Sequence, residues 1–258
     1  MTYFHDKTVL VTGANGGLGA EMARQLADAG ARLILTDIGD KSIQTNSQHL
    51  AYIQSDLSTA DGCKKLIAEA KSASPTLDIL INNAGLATVG NFVDTPDDKW
   101  EAVLNINLLV PMRLSKLVLP DMIQRQSGHI VNISSVGGFI SLPKTSPYVA
   151  SKWGLRGFGA ALRAEVADKN ILVSNVYPFF TPTPILQSGR FGKTTQKTEL
   201  PSFFLDDKKD VIKQTLKGIA AGNLHIFPSF RSKIVGESAR FLPEVTEFVT
   251  RKFWDYIG

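Results

Sequence analysis

"KTVLVTGANGGLGAEMARQLADAGARLILTD", Lys7 to Asp37, decides the fold. It opens with a short apolar run that ends at Gly13. From Leu18 the spacing changes: Leu18, Met22, Leu26 and Ala29 share one face of a helix, and Gly30 stops it. "ARLILT" is apolar again. Strand, helix, strand is the unit of a parallel sheet. In the connecting turn, "TGANGGLG" (12–19), Gly13 permits the tight bend, Gly17 lets the backbone approach a diphosphate, and Gly19 lets the helix pack closely on the strand. The free N–H groups and positive end of the helix would face the phosphates. A glycine cluster alone is weak evidence. Its place directly after a strand and before an amphipathic helix makes it stronger, and it lacks the GK[ST] ending of a triphosphate loop. Asn15 and Leu18 complete the expected contacts of this loop.

Asp37 ends the second strand, eighteen residues past Gly19. A carboxylate there can accept from both ribose hydroxyls and would repel a 2′-phosphate. Ile38 rather than Arg follows it, and Gly16 rather than a basic residue precedes Gly17. All three features favour NAD(H) over NADP(H). The plainer reading of Asp37 is a solvated strand-end residue.

The alternation continues to the C-terminal part of the chain. "LAYIQSD" (50–56) reads as strand, "DGCKKLIAEAKS" (61–72) as helix and "LDILINNAG" (77–85) as a buried strand. "PDDKWEAVLNINLLVPMRLSKLVLPDMIQRQ" (96–126) is a long helical stretch in which Pro111 predicts a kink or break. A strand (128–135), a helix (146–170), a strand (171–178), a helix (206–223) and a last strand (224–228) follow. Seven strands with helices between them predict an α/β, doubly wound Rossmann-type fold with a seven-stranded parallel sheet. No linker or repeat is evident, so one domain spanning 1–258 is the simplest reading. The segment 38–49 is too short and polar for a full crossover helix. Asp56 and Leu57, closing the third strand, could accept from an adenine amino group and pack on its ring. Asn83, Ala84 and Gly85 close the fourth, where the asparagines could tie strand ends together and Ala84-Gly85 leaves room for a ribose; ordinary turn chemistry explains the same residues.

Composition narrows the classes. With 43% hydrophobic residues among 258, the chain can bury a large core. The net charge of +4 is mild and no basic run reaches five residues, so no nucleic-acid partner is expected. The single cysteine, Cys63, excludes an intrachain disulfide. The four histidines share no ligand spacing, so no metal is expected. The start of the chain runs straight into a strand and no uninterrupted apolar run reaches ~18 residues, so neither a signal peptide nor a membrane span is expected, and a cytoplasmic location is the default.

"SPYVASKWG" (146–154) places Tyr148 and Lys152 four apart, on one helical face. With "TGANGGLG", Asp37, "SDL", "NNAG", Asn107 in "LNINLL" and Ser135 in "IVNISS", the chain resembles the short-chain dehydrogenase/reductase family, in its shorter oxidoreductase branch. The match covers 7 to about 185, and more loosely to 228. The resemblance implies a catalytic set of Asn107, Ser135, Tyr148 and Lys152 acting with NAD on an alcohol or ketone. Tyr148 would be the general acid/base, its phenol made acidic by the Lys152 ammonium; Lys152 would also hold the nicotinamide ribose, and Asn107 a water. Ser135 rather than Ser134 is implied, because it lies thirteen residues before Tyr148 and the two alternate across the strand. Each has a plainer reading: a strand-end hydroxyl, a kink residue, a snorkelling lysine.

The pattern departs at "PFFTPTPI" (178–185). Pro178 and Thr183 match expected cofactor contacts, but Phe179 stands where the family has glycine, and would narrow the space beside nicotinamide or shift the loop. The following segment, about 184–207, is expected to be a substrate lid. Phe191, Phe203, Phe204 and Leu205, with Phe179, Phe180, Phe139, Ile140 and Leu142, could form a pocket for a bulky hydrophobic substrate; alternatively half of these aromatics are core or subunit contacts. In the C-terminal extension (about 231–258), Val235, Ala239, Leu242, Val245, Val249 and Phe253 approximate a helical stripe broken by Pro243. A membrane-surface helix is one reading; a subunit contact or substrate cover is the favoured one, in keeping with the homodimer or homotetramer the resemblance implies. Two other functions stay open: an NADP(H)-dependent carbonyl reductase and a non-catalytic NADH-binding sensor or scaffold.

Overall fold

The computed structural model describes residues 2–40, 49–187, 189–192 and 201–257. At its centre lies β1 (Thr8–Thr12), all five residues buried. Side chains alternate along it. Val9 and Val11 face a layer with Met22, Leu26, Leu33, Ile212 and Leu216; Leu10 faces the opposite layer with Ile34, Leu66, Leu80, Leu114 and Leu162. Covering both faces of the sheet is what makes its strands read as apolar runs rather than as alternation. Each fully buried Leu or Ile contributes roughly 1.5–3 kcal/mol.

The chain runs through α1 (Gly17–Asp28), β2 (Arg32–Asp37), β3 (His49–Gln54), α2 (Ala60–Ala73) and β4 (Ile79–Asn82). After β5 (Thr88–Val89), α3 (Asp97–Leu104) and α4 (Val110–Gln124) come β6 (Gly128–Ile133), α5 (Ser146–Glu165) and β7 (Ile171–Val176). β8 (Gly189–Arg190), α6 (Lys208–Ala220), β9 (His225–Ile226), α7 (Phe230–Phe241) and α8 (Pro243–Ile257) complete the order. Seven parallel strands form one sheet in the order β3-β2-β1-β4-β6-β7-β9. The order reverses between β1 and β4, which opens a crevice beyond the carboxyl ends of the strands.

Pro111 predicted a kink or break. The helix instead runs on: a π-helical turn, Asn105–Leu109, joins α3 to α4 without leaving the right-handed helical region, and Pro111 follows it as the second residue of α4. By length and composition the stretch Asp97–Gln124 would suffice to cross a membrane. Here it packs Val110, Leu114, Val118 and Met122 into the core. The sequence did not show the two-residue pair β5–β8, which is too short to have a period. Residues 41–48, within the doubtful crossover 38–49, lie outside the described residues.

The C-terminal stripe is broken at Pro243 as expected, and Pro243 starts a new helix. Val235 and Ala239 pack on the core around Tyr177, whereas Leu242, Val245 and Val249 are exposed. Phe253 lies outside the described side chains.

A polar seam docks α5 on the sheet. Asn82, Asn132 and Asn175 are register partners on β4, β6 and β7. The Asn82 amide donates to Asn132 at 3.0 Å, Asn132 to Asn175 at 3.1 Å, and Asn175 to the Arg156 carbonyl of α5 at 3.2 Å. All three are buried. Asn132→Ala strands the amide of Asn82 and the carbonyl of Asn175, and is expected to cost about 2–4 kcal/mol. A urea-denaturation midpoint checks this; a loss below about 0.5 kcal/mol would mean the ladder is not a structural tie.

Candidate active site

The crevice is a cavity of about 1170 Å³, lined by the ends of β1, β2, β4, β6 and β7 and by α1 and α5. Ordinary small-molecule sites run to roughly 300–1,000 Å³, so a dinucleotide and a second molecule fit together. Of the residues expected at the site, Gly13, Asn15, Gly17, Leu18, Asp37, Asp56, Leu57, Asn83, Ala84, Gly85, Ser135, Tyr148, Lys152, Pro178 and Thr183 all line it.

The glycine turn shows why its spacing is needed. Gly13 has φ +63°, and a Cβ there would lie 2.8 Å from the Ala84 Cα. A Cβ on Gly19 would lie 2.1 Å from the Gly13 carbonyl oxygen. Gly17 differs from expectation: Thr183, from the loop after β7, occupies the space in front of it. α1 starts with no side-chain cap and no acidic residue in its first turn, so its N-terminus retains backbone donors suited to an anion.

At the β2–β3 side, Asp37 accepts the Asn15 N–H at 2.9 Å and the Ile38 N–H at 2.8 Å, one on each oxygen. Each oxygen keeps a second acceptor site for a hydroxyl. Asp56 accepts from the Ser58 N–H at 2.9 Å, and this bond holds its carboxyl below the usual range. Asn83 is structural as well as cavity-lining: its amide donates to the carbonyls of Thr12 at 2.9 Å and Gly13 at 3.0 Å.

At the β6–β7 side, Ser135 and Ser134 point apart, as strand alternation requires. Ser134 Oγ donates to the Lys152 carbonyl at 3.1 Å, while Ser135 Oγ accepts the Gly137 N–H at 3.1 Å and lines the cavity together with Tyr148. Lys152 Nζ donates to the Ile133 carbonyl at 2.9 Å and lies 5.6 Å from the centroid of the Tyr148 ring. Asn107 sits in the π turn and does not line the cavity. Its amide spends both donors, on the Leu86 carbonyl at 2.8 Å and on Ser151 Oγ at 2.9 Å, and its carbonyl accepts the Leu86 N–H. The expected water has only one acceptor position left on this side chain.

The apolar pocket is about half of what the sequence suggested. Phe179, Phe180, Leu142 and Leu205 line the cavity. Phe139 and Ile140 are buried around Tyr177, Phe204 packs on Phe179 at 5.8 Å, and Phe203 is 69% exposed. Of the lid, residues 188 and 193–200 lie outside the described residues. Its final turn is held by α7: Arg231 pairs with Asp206 at 2.9 Å and donates to the Phe203 carbonyl at 2.7 Å. Among the lining residues that sequence reading missed are two cations, Lys144 and Arg190. Neither has a periodic or motif context; each looks like any loop cation.

Burial opposes the acidity expected of the phenol. Burial pushes the Tyr148 phenol up from its ordinary value, and the Ser135 hydrogen bond offsets this only in part. Burial also pushes the Lys152 ammonium down, to about 8. Both shifts have one cause: the charged forms lose water. Lys152 is thus a buried cation whose charge opposes folding until it is released. Between about pH 8 and the ordinary lysine value of ~10.4 the unfolded chain binds the extra proton, so this penalty shrinks as pH rises through that window. Lys152→Met should therefore raise Tm at pH 7, with the gain diminishing by pH 10. An equal gain at both pH values, read by thermal melts, would refute the assignment.

The model of the short chain dehydrogenase family matches residues 7–193. The dehydrogenase/reductase SDR family member 7B of Mus musculus is 37% identical over 192 residues, which are 70% of this chain and 59% of that protein. The chain thus spans less than two thirds of the length of that relative. A short chain dehydrogenase/reductase from Burkholderia phymatum, solved in complex with NAD, superposes with a TM-score of 0.81 at 21% identity, covering 96% of this chain and 97% of that one. A short-chain dehydrogenase from Sphingobium yanoikuyae, solved in complex with NADPH, has a TM-score of 0.76 at 27% identity, over 92% and 95%. With the family model matched from β1 past the loop that follows β7, and the glycine turn, Ser135, Tyr148 and Lys152 gathered in one crevice, the chain belongs to the short-chain dehydrogenase/reductase family.

Proposed function

We propose that the protein is an NAD(H)-dependent oxidoreductase that interconverts a bulky hydrophobic alcohol and its ketone, with Tyr148 as general acid/base. The observation that carries this reading is that Ser135, Tyr148 and Lys152 line the same cavity as the glycine turn. The donor set suits a dinucleotide. The uncapped start of α1 would take the diphosphate, Asp37 the adenosine ribose, and Lys152 and Thr183 the nicotinamide end. The nicotinamide, when bound, supplies or accepts the hydride and, in its oxidised form, a positive charge.

In the reduction direction, negative charge grows on the substrate oxygen as its carbon gains the hydride. The Ser135 and Tyr148 hydroxyls, already adjacent, donate to that oxygen. Tyr148 then passes its proton to it, leaving a phenolate that is reprotonated from solvent; oxidation runs the same transfers backwards. The Lys152 ammonium beneath the ring favours that phenolate, while its bond to Ile133 fixes where the charge sits. Asn107 acts by position: it joins the Leu86 backbone to Ser151 on α5 and so holds the helix that carries Tyr148. Leu86, Val136, Leu142, Phe180 and Leu205, which line the same cavity as Tyr148, support an apolar substrate. Assembly as a homodimer or homotetramer and a cytoplasmic location are part of the same reading. Exposed Leu109, Met112 and Trp153 are apolar surface that a second copy could cover.

NADP(H) is the competing cofactor, and the NADPH complex of the Sphingobium relative is what favours it. Absorbance assays with both cofactors and a panel of hydrophobic ketones test the reading. Tyr148→Phe should lower kcat by about 10²–10⁴-fold with NADH binding retained; NADH binding without turnover in the unaltered protein would point to a sensor instead. Asp37→Ala should shift the NAD/NADP preference toward NADP by roughly tenfold or more. An unchanged ratio would remove Asp37 from the cofactor site.

A further inference from the structure

Asp37 stands near the edge of the sheet, half-buried and followed by Ile38, which is 69% exposed. A side chain in such a place ordinarily turns among its rotamers. Here both carboxylate oxygens are tied down, to the N–H groups of Asn15 at 2.9 Å and Ile38 at 2.8 Å. The residues that supply those N–H groups are held in turn by β3. The Tyr52 hydroxyl accepts from the Asn15 side-chain amide at 2.8 Å and donates to the Gly39 carbonyl at 2.5 Å. The Gln54 side-chain amide donates to the Ile38 carbonyl at 3.0 Å. Tyr52 and Gln54 are two apart on the strand and so share one of its faces.

Neither Tyr52 nor Gln54 is among the described residues that line the cavity. Tyr52 therefore acts at one remove. Its ring packs on the core layer that holds Val11 and Leu35, and its hydroxyl reaches the site. The hydroxyl closes a ring of contacts: Asp37 to the Asn15 N–H, the Asn15 amide to Tyr52, Tyr52 to Gly39, and Gly39 back along the chain to Asp37. One phenol thereby joins the glycine turn to the turn after β2. The task needs a group that accepts and donates at once, which a protonated phenol does. Burial keeps it protonated by pushing its pKa up, and the Asp37 and Asp40 carboxylates push the same way against the Asn15 bond.

We propose that Tyr52, seconded by Gln54, is a positioning residue for cofactor choice: it holds Asp37 in the orientation that takes a ribose diol and turns away a 2′-phosphate. This rests on the NAD(H) reading of Asp37 and adds the residue that makes it selective. The physical reason is preorganisation. A carboxylate that can turn toward water avoids a 2′-phosphate at little cost, because exposed charges are screened. A carboxylate fixed by two N–H groups keeps its charge and its remaining acceptor sites in one place, so a diol that pairs with it gains and a phosphate beside it loses. Loss of the Tyr52 hydroxyl frees Asn15 and Gly39 together and gives Asp37 that escape.

Calorimetric titration of the full chain with NADH and with NADPH tests this without a substrate. In Tyr52→Phe, which keeps the ring, the ratio of the NADPH to the NADH dissociation constant should fall about 5–10-fold, mostly by weaker NADH binding. Gln54→Ala, which removes the second brace and leaves the phenol, should lower it about twofold. In the Asp37→Ala background Tyr52→Phe should change the ratio by less than about twofold, because the hydroxyl acts through the carboxylate. Tyr3→Phe is the control. It also loses a phenol hydrogen bond, to His129 at 2.9 Å, but at the opposite ends of the strands, and should leave the ratio unchanged. Melting curves check folding, and Gln54→Ala decides alone if Tyr52→Phe melts below the assay temperature. An unchanged ratio in the unbraced chain, an undiminished Tyr52→Phe effect in the Asp37→Ala background, or an equal shift in Tyr3→Phe would overturn the proposal. A ratio that moves with Asp37→Ala but not with Tyr52→Phe would sink the proposal alone. A ratio that Asp37→Ala leaves unmoved would sink the NAD(H) reading of Asp37, and the proposal with it.

Discussion

One reciprocal clamp holds the catalytic helix to the sheet. The Lys152 side chain donates to the Ile133 carbonyl at the end of β6, and one residue further the Ser134 side chain donates back to the Lys152 carbonyl. Taking an ammonium out of water costs several kcal/mol, and Lys152 is only 4% exposed. The helix can bear that cost only where the strand-end carbonyl meets the charge. The requirement fixes the height of α5 along β6 and the rotation of its inner face. Tyr148, one turn earlier, is then carried to Ser135 without further adjustment. The asparagine ladder repeats the tie on the neighbouring strand β7, at the Arg156 carbonyl, so α5 is held at two successive turns by the same sheet face.

This arrangement explains why the two titrating groups shift against expectation. Reading Tyr148 and Lys152 from the sequence weighs their mutual charge, by which the ammonium makes the phenol more acidic. The fold removes water from both, and desolvation dominates. A site so built stores unfavourable burial in the cofactor-free chain. A positive charge brought to the phenol by an oxidised nicotinamide would act in a medium that screens it weakly, and so be felt more strongly than in bulk water.

Legibility followed range. The helical period of Leu18, Met22 and Leu26, the apolar strands and the glycine turn are local, and each matched its element within a few residues. The distinction between Ser134 and Ser135 was also local, because a strand's period of two decides which hydroxyl faces inward. What could not be read depends on segments distant in the chain. β5 and β8 are a hundred residues apart and two residues long. The amides of Asn107 are spent on Leu86 and Ser151, and nothing in "LNINLL" indicates that. The phenylalanines of 139–204 are alike in sequence and are divided between cavity, core and solvent only by packing.

Phe179 shows how a departure from the family pattern is accommodated. A bulky ring replaces the expected glycine, yet it is 9% exposed and meets Phe180 edge-on at 5.1 Å. Phe204 backs it, and Phe204 is placed by the turn that Arg231 and Asp206 hold. The ring is thus supported from behind by α7, which the family match at 7–193 does not reach. The C-terminal extension therefore has a structural connection to the crevice: loosening α7 frees the turn at 202–206, then Phe204, then the wall beside Tyr148. A substitution far from the reacting atoms, at Arg231, would act on substrate fit through three packed aromatic rings and leave the glycine turn untouched.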